Sequence, residues 1–66
     1  MTVKETILKL TKKWRVYDQI SRETLRLKDY RVSFGTIDRK VRELVEEGKL
    51  IARRVKGKQY KEFRRA

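Results

Sequence analysis

Residues 32–51 of the chain read VSFGTIDRKVRELVEEGKLI, and this stretch decides the fold. Its apolar side chains recur at intervals of three and four residues, which is typical of one face of a helix. They are Phe34, Ile37, Val41, Leu44 and Val45. Ser33 stands where an N-cap is expected, and Gly48 can adopt the left-handed conformation that ends a helix. The stretch therefore predicts a helix over residues 33–47 that packs one face against a core.

The residues ahead of this stretch predict a first helix and a short strand. Thr2 is followed three residues later by Glu5, which is the spacing of a capping box. Apolar residues then repeat at helical spacing as far as Trp14, so we expect a helix over residues 2–13. Residues 14–17 read WRVY, a β-prone and alternating sequence that predicts a single short strand.

A second helix is expected to begin at Asp18 or Ser21, either of which can act as an N-cap, and to run to about residue 29. Its apolar positions share one face. They are Ile20, Thr24, Leu27 and Tyr30, with Leu25 at the edge. The turn to the next helix, over residues 29–32, contains no glycine.

Two strand-like runs follow Gly48, over residues 50–55 and 59–64. Between them lies Lys56-Gly57-Lys58, in which the glycine can supply the backbone angles of a tight turn. The predicted order is helix, strand, helix, helix, strand, strand, which defines an α+β fold. With 66 residues the chain has room for one core, so we expect a single domain over residues 1–66.

The charge of the chain indicates a polyanionic partner. Lys and Arg number 20 against 9 Asp and Glu, which gives a formal net charge of +11. The excess is concentrated after residue 48, where the sequence contains eight basic residues and a single acidic residue, Glu62. Nucleic acid is the first candidate partner and an anionic membrane surface is the second. The latter is less favoured, because the apolar face of the first helix is needed to close so small a core.

Several residue types are absent, and each absence narrows the function. The chain has no Cys and no His, so a disulfide framework and a Cys/His zinc site are excluded, and the usual general base is missing. We therefore expect no enzymatic activity, no metal and no cofactor. The N-terminal segment is too charged for a signal peptide, and no apolar run is long enough to span a membrane. These features favour a cytoplasmic protein. The chain lacks Asn and Cys and is rich in Lys, Arg and Glu, as the proteins of hyperthermophiles tend to be, although chance explains this composition equally well.

The stretch 32–51 also resembles a motif that recurs in winged helix-turn-helix regulators, of the form hydrophobic-S-x-x-T-[IV]-x-R-x-[LV]-x-x-L-x-x-x-G-x-[IL]-[IL]. The matching residues are Val32, Ser33, Thr36, Ile37, Arg39, Val41, Leu44, Gly48, Leu50 and Ile51. The resemblance implies a double-stranded-DNA-binding transcriptional regulator, associated with the nucleoid, whose third helix reads the major groove and whose C-terminal hairpin is a basic wing over residues 53–61. Larger regulators carry extra helices for dimerisation or for an effector pocket. These are missing here, so no small-molecule effector is expected and a homodimer through the first helix or Trp14 remains an open alternative.

The predicted DNA contacts lie on the outer face of the third helix and on the hairpin. They are Ser33, Gly35, Thr36, Arg39, Lys40, Arg42, Arg53, Arg54, Lys56, Lys58 and Lys61. Arg39 is the candidate base reader, because its guanidinium can bond guanine O6 and N7 together. Ser33 and Thr36 suit phosphate oxygens.

Other interpretations of the same residues stay open. The helix surface could be merely solvated and salt-bridged, since Asp38–Arg42, Arg39–Glu43 and Arg42–Glu46 are all spaced four apart. The aromatic side chains are interpreted as packing groups rather than ligand contacts; they are Trp14, Tyr17, Tyr30, Tyr60 and Phe63. The functional alternatives are an architectural DNA-binding protein without sequence preference and a winged-helix ribosomal RNA-binding protein.

Overall fold

The computed structural model describes residues 2–66, so Met1, the first residue of the predicted domain, lies outside the description. The fold is α+β, with three helices and three strands in the predicted order. They are α1 (Val3–Leu10), β1 (Arg15–Val16), α2 (Tyr17–Leu27), α3 (Phe34–Glu46), β2 (Leu50–Arg54) and β3 (Lys61–Arg65). The strands form one antiparallel sheet in the order β1-β3-β2. This layout is compatible with the architecture that the sequence resemblance implies.

Helix α3 has both of the caps that the sequence predicts. The Ser33 Oγ accepts a hydrogen bond of 3.1 Å from the Thr36 N–H. At the other end Gly48 has φ 75° and donates to the Val45 carbonyl at 3.1 Å. The Lys49 N–H donates to the Leu44 carbonyl at 2.9 Å. These two bonds form a Schellman motif, which satisfies carbonyls that would otherwise lack partners. The prediction of this helix is confirmed.

The core is formed where the three helices and β2 meet. Six hydrophobic side chains are at most 3% exposed; they are Ile7, Ile20, Ile37, Val41, Leu44 and Leu50. The expectation that Phe34 shares the buried face of α3 is wrong, because 53% of Phe34 is exposed. As the first residue of α3 it lies beyond the packed part of the helix, in an open groove beside α2.

Helix α1 begins with the predicted capping box, in which Thr2 and Glu5 bond each other's backbone amides, but it ends at Leu10 rather than at residue 13. The Thr11 hydroxyl donates to the Ile7 carbonyl at 2.8 Å. The Thr11 carbonyl accepts the Arg65 N–H at 2.7 Å. Because the sheet occupies this carbonyl, residues 11–13 leave the helix and lead the chain into β1.

Helix α2 begins at Tyr17, and neither Asp18 nor Ser21 is its cap. Val16 is the N-cap, and its N–H donates to the Gln19 Oε1 at 3.4 Å. Val16 is also paired with Glu62 in the sheet, so the helix starts directly at the end of β1.

The buried face of α2 is formed by Ile20, Ser21 and Thr24. Leu27 and Tyr30 were expected on this face but are 54% and 70% exposed. The helix ends at Leu27, ahead of the predicted residue 29. Two left-handed residues follow it, Asp29 with φ 58° and Tyr30 with φ 59°. For residues with a Cβ this conformation costs roughly 1–2 kcal/mol each. They reverse the chain where a glycine is absent, and they turn the Tyr30 ring away from the core.

The hairpin presents one face to the core and the other to solvent. Residues directly opposite each other share a face, and successive residues alternate. Leu50, Ala52 and Phe63 form the inner face, with Ala52 opposite Phe63. The connection between the strands, residues 55–60, is longer than predicted. Within it the Lys58 N–H donates to the Val55 carbonyl at 3.0 Å, and Gly57 has φ 76°.

Candidate nucleic-acid interface

The tip of the hairpin, residues 54–61, carries four exposed cations. Arg54 and Lys61 face each other in the last pair of the β2–β3 ladder, and Lys56 and Lys58 lie in the loop beyond them. Within residues 2–66 none of the four forms an ion pair. The hairpin tip is therefore a concentration of positive charge with no acidic side chain to offset it.

A groove separates the hairpin from α3. Asp38, Arg42 and Glu46 line it on the α3 side, and Ala52, Lys61 and Phe63 line it on the hairpin side. The groove places Lys61 across from Arg42. On the α3 side, Arg42 is flanked by the acidic side chains Asp38 and Glu46, so the unpaired charge belongs to the hairpin.

The outer face of α3 has one cation that forms no ion pair among the described residues, and a glycine at which the backbone is accessible. Arg39 is exposed and forms no ion pair among the described residues. A Cβ added at Gly35 would meet only the Ser33 Oγ, at 3.8 Å, so packing within the chain does not require a glycine there. The Ser33 and Thr36 hydroxyls lie 3.0 Å apart and share a hydrogen bond. A ligand could reach all four groups from solvent.

Two of the predicted contact residues on α3 are neutralised by partners within the helix. Arg42 Nε lies 3.2 Å from Asp38 Oδ2. Lys40 Nζ lies 3.5 Å from Glu43 Oε1. Of the three spacings that indicated a salt-bridged surface, only Asp38–Arg42 forms an ion pair; the Arg39–Glu43 and Arg42–Glu46 pairs are absent from the described residues.

The acidic residues at the end of α3 are held by α1. Lys4 Nζ lies 3.2 Å from Glu43 Oε1 and 2.9 Å from Glu47 Oε2. The hydrogen bond to Glu47, and then that to Glu43, raises the pKa of Lys4. The hydrogen bond from Lys4 lowers the pKa of Glu43 below its ordinary 4.5. This cluster links α1 to α3, and Lys4 offsets the negative charge of Glu43 and Glu47.

Arg53, also predicted to contact DNA, lies on the outer face of the sheet. Its Nη2 is 2.9 Å from Glu62 Oε1, and its guanidinium stacks 3.9 Å from the centroid of the Trp14 ring. Arg64 approaches the same ring at 5.1 Å. The structure therefore places Arg53 away from the groove that faces α3. Trp14, expected in the core, is a half-buried platform for these two arginines.

In the described part of the chain, most of the acidic side chains form ion pairs, whereas the cations of the hairpin tip do not. Six of the 9 acidic residues form ion pairs within residues 2–66. They are Asp18, Glu23, Asp38, Glu43, Glu47 and Glu62. Most of the excess positive charge therefore lies on Lys and Arg side chains that form no ion pair with any described residue.

Sequence reasoning missed the surface formed by Phe34. The Tyr17 hydroxyl donates to the Phe34 carbonyl at 3.1 Å, and burial raises the pKa of that hydroxyl. Tyr17 packs against the core as predicted, whereas the Phe34 ring projects from the start of α3. One signal was available: an apolar residue in the first turn of a helix has no preceding turn to extend the packed face.

The rest of the described chain offers few other sites. No helix in residues 2–66 is long and apolar enough to cross a bilayer. Over the same residues, no three acidic side chains come together as a metal site would require.

In comparisons with known proteins, no family model, no curated protein and no solved structure matches the chain.

Proposed function

We propose that this protein binds double-stranded DNA as a winged helix-turn-helix transcriptional regulator. Helix α3 lies in the major groove, and the hairpin is the wing that follows the sugar-phosphate backbone. The observation that carries this proposal is the unpaired positive charge of the hairpin tip, Arg54, Lys56, Lys58 and Lys61, which lies across one groove from α3.

The dimensions of α3 suit the role. The helix has 13 residues and is therefore about 20 Å long at 1.5 Å per residue. Its Schellman motif and its packing through Ile37, Val41 and Leu44 hold it rigidly on the body of the domain. The major groove of DNA is about 12 Å wide and admits one helix. The exposed side of α3 can then meet base edges without any change in the fold.

The two elements have different roles in this proposal. Helix α3 carries three basic and three acidic residues, so it adds no net charge. Base recognition falls to Arg39, whose guanidinium is unpaired and can bond both acceptors of a guanine. The hairpin tip carries the affinity, since phosphate contacts contribute binding energy but no sequence information.

One observation favours a second candidate, an architectural DNA-binding protein without sequence preference. Four of the five unpaired cations in this surface lie on the hairpin and one, Arg39, lies on α3. A protein of that distribution could hold DNA through phosphates alone, as architectural proteins do.

A binding panel separates these functions. Affinity is measured for random duplex DNA, single-stranded DNA, structured RNA and anionic vesicles at two salt concentrations, and preferred duplex sites are then selected from a random pool. We expect duplex DNA to bind best and the selection to return a common sequence. A selection that returns no common sequence supports the architectural candidate. A preference for structured RNA supports the ribosomal alternative and contradicts DNA binding.

A further inference from the structure

Phe34 is the most exposed apolar side chain of α3, at the end of the helix that the proposed function places against base edges. Its exposure is 53%, although it is the first residue of a well-packed helix. Because about half of the ring stays in contact with water, a large part of the free energy that burial would contribute is not gained in the folded chain. The core of the described residues closes without it, through Ile37, Val41 and Leu44 from the same helix.

The position of Phe34 is set by contacts on both sides. Its carbonyl accepts the Tyr17 hydroxyl at 3.1 Å, which ties the start of α3 to the start of α2. Ser33 before it caps the helix. Gly35 after it contributes no side chain beside the ring. The ring is therefore presented by a rigid element, which is a requirement for precise recognition.

The chemistry of the major groove offers one match to such a ring. Base edges there present hydrogen-bond donors and acceptors, and the C5 methyl of thymine is the apolar exception. Phenylalanine has no group that can bond a phosphate or a polar base edge. Its ring gains from DNA contact only where it covers an apolar surface.

We propose that Phe34 is a specificity-determining residue that selects thymine by packing against its C5 methyl. The inference rests on the proposed binding of duplex DNA. A second copy of the chain is the less favoured occupant, because each copy carries a formal net charge of +11.

The test compares thymidine with deoxyuridine, which differs from it only by the C5 methyl. Duplexes selected by the unaltered protein are prepared with either base, and dissociation constants are measured at one salt concentration. Burial of one methyl corresponds to about fourfold in affinity. We expect the deoxyuridine duplex to bind about fourfold more weakly for each thymine contacted. In Phe34→Ala the two duplexes should bind equally, while binding to random duplex is retained.

Leu27→Ala is the matched control. Leu27 is 54% exposed, but it lies on the other side of α2, beside Val3 and Thr6 of α1. This variant should keep the full preference for thymine. Circular dichroism of both variants establishes that the helices are intact.

The possible failures are distinguishable. If no duplex binds, the proposed function and this inference both fail. If thymine and deoxyuridine duplexes bind the unaltered protein equally, the inference fails and DNA binding stands. If Phe34→Ala keeps the thymine preference, another residue reads the methyl and the assignment is wrong. Self-association of the unaltered protein that Phe34→Ala abolishes, with no thymine preference, would identify the ring as a dimer contact instead.

Discussion

Neutralising the two loop lysines of the hairpin tip should reduce the salt dependence of DNA binding by a calculable amount. The change is the double substitution Lys56→Gln and Lys58→Gln. Both side chains are exposed and unpaired within residues 2–66, and neither belongs to a strand. The substitutions therefore remove two positive charges without removing an internal contact.

The expected magnitude follows from the number of unpaired cations on the proposed surface. They are Arg39, Arg54, Lys56, Lys58 and Lys61. Each cation that neutralises a phosphate contributes about −0.9 to the slope of log K against log salt, so the slope should be about −4.5. The double variant should have a slope of about −2.7. Between 50 and 200 mM salt, the unaltered protein should lose about 500-fold in affinity and the variant about 40-fold.

The assay is the dissociation constant of one fluorescent duplex at four or more salt concentrations, for the unaltered protein and for two variants. The control is Lys12→Gln with Lys13→Gln, which changes the net charge equally. These exposed lysines follow Thr11, whose carbonyl bonds the Arg65 N–H at the end of β3 away from the hairpin tip. Five residues of strand span about 17 Å, so the control lies well away from the loop.

The outcome distinguishes a local from a global effect of charge. We expect the control to keep the slope of the unaltered protein. Equal reductions in the two variants would show that net charge alone governs binding. The assignment of the hairpin tip to the phosphate backbone would then be refuted.

Three further predictions test other parts of the structure. Arg39→Ala should cost roughly 1–3 kcal/mol on the selected duplex and relax the preference at one base position; a uniform loss on all sequences would exclude base reading. Gly48→Ala should lower the free energy of unfolding in urea by roughly 1–2 kcal/mol, because alanine at this position must adopt φ 75°. No atom lies within 4 Å of the added methyl, so a steric clash adds nothing to this cost. The pKa of Glu43 is held below 4.5 by Lys4, so its contribution to stability is complete above pH 4.5 and is lost as pH falls through the lower folded-state pKa. Glu43→Gln should therefore have a melting temperature that falls less than that of the unaltered protein on acidification; an equal fall would show that the Lys4 cluster does not stabilise the fold.

Helix α3 was predictable because its boundaries are encoded locally. Ser33 and Gly48 each act within a few residues of themselves, through the hydroxyl cap and the Schellman bonds. The end of α1 was not predictable in this way. It depends on the Thr11 carbonyl meeting the Arg65 N–H, a contact between residues near opposite ends of the sequence.

The candidate site was predictable as a set of charges but not as an arrangement. Arg53 and Arg54 are neighbours in sequence with the same charge. In the sheet, Arg53 stacks on Trp14 and pairs with Glu62, whereas Arg54 stays unpaired opposite Lys61. Strand alternation separates the two only once the register is known. The exposure of Phe34 likewise depends on where the packing of α3 against α2 ends.

The pairing of β1 with β3 has a consequence for the order in which the chain folds. The two-residue ladder joins residues 15–16 to residues 62–63, so about two thirds of the chain lies between its partners. The entropy lost on closing a loop increases with its length, and distant contacts form late. The helices and the hairpin are local in sequence, so we expect them to be in place before this ladder closes. We therefore expect the β1–β3 ladder to be the last part of the sheet to form and the first to open, while Leu50 and Phe63 keep the hairpin packed against the helices.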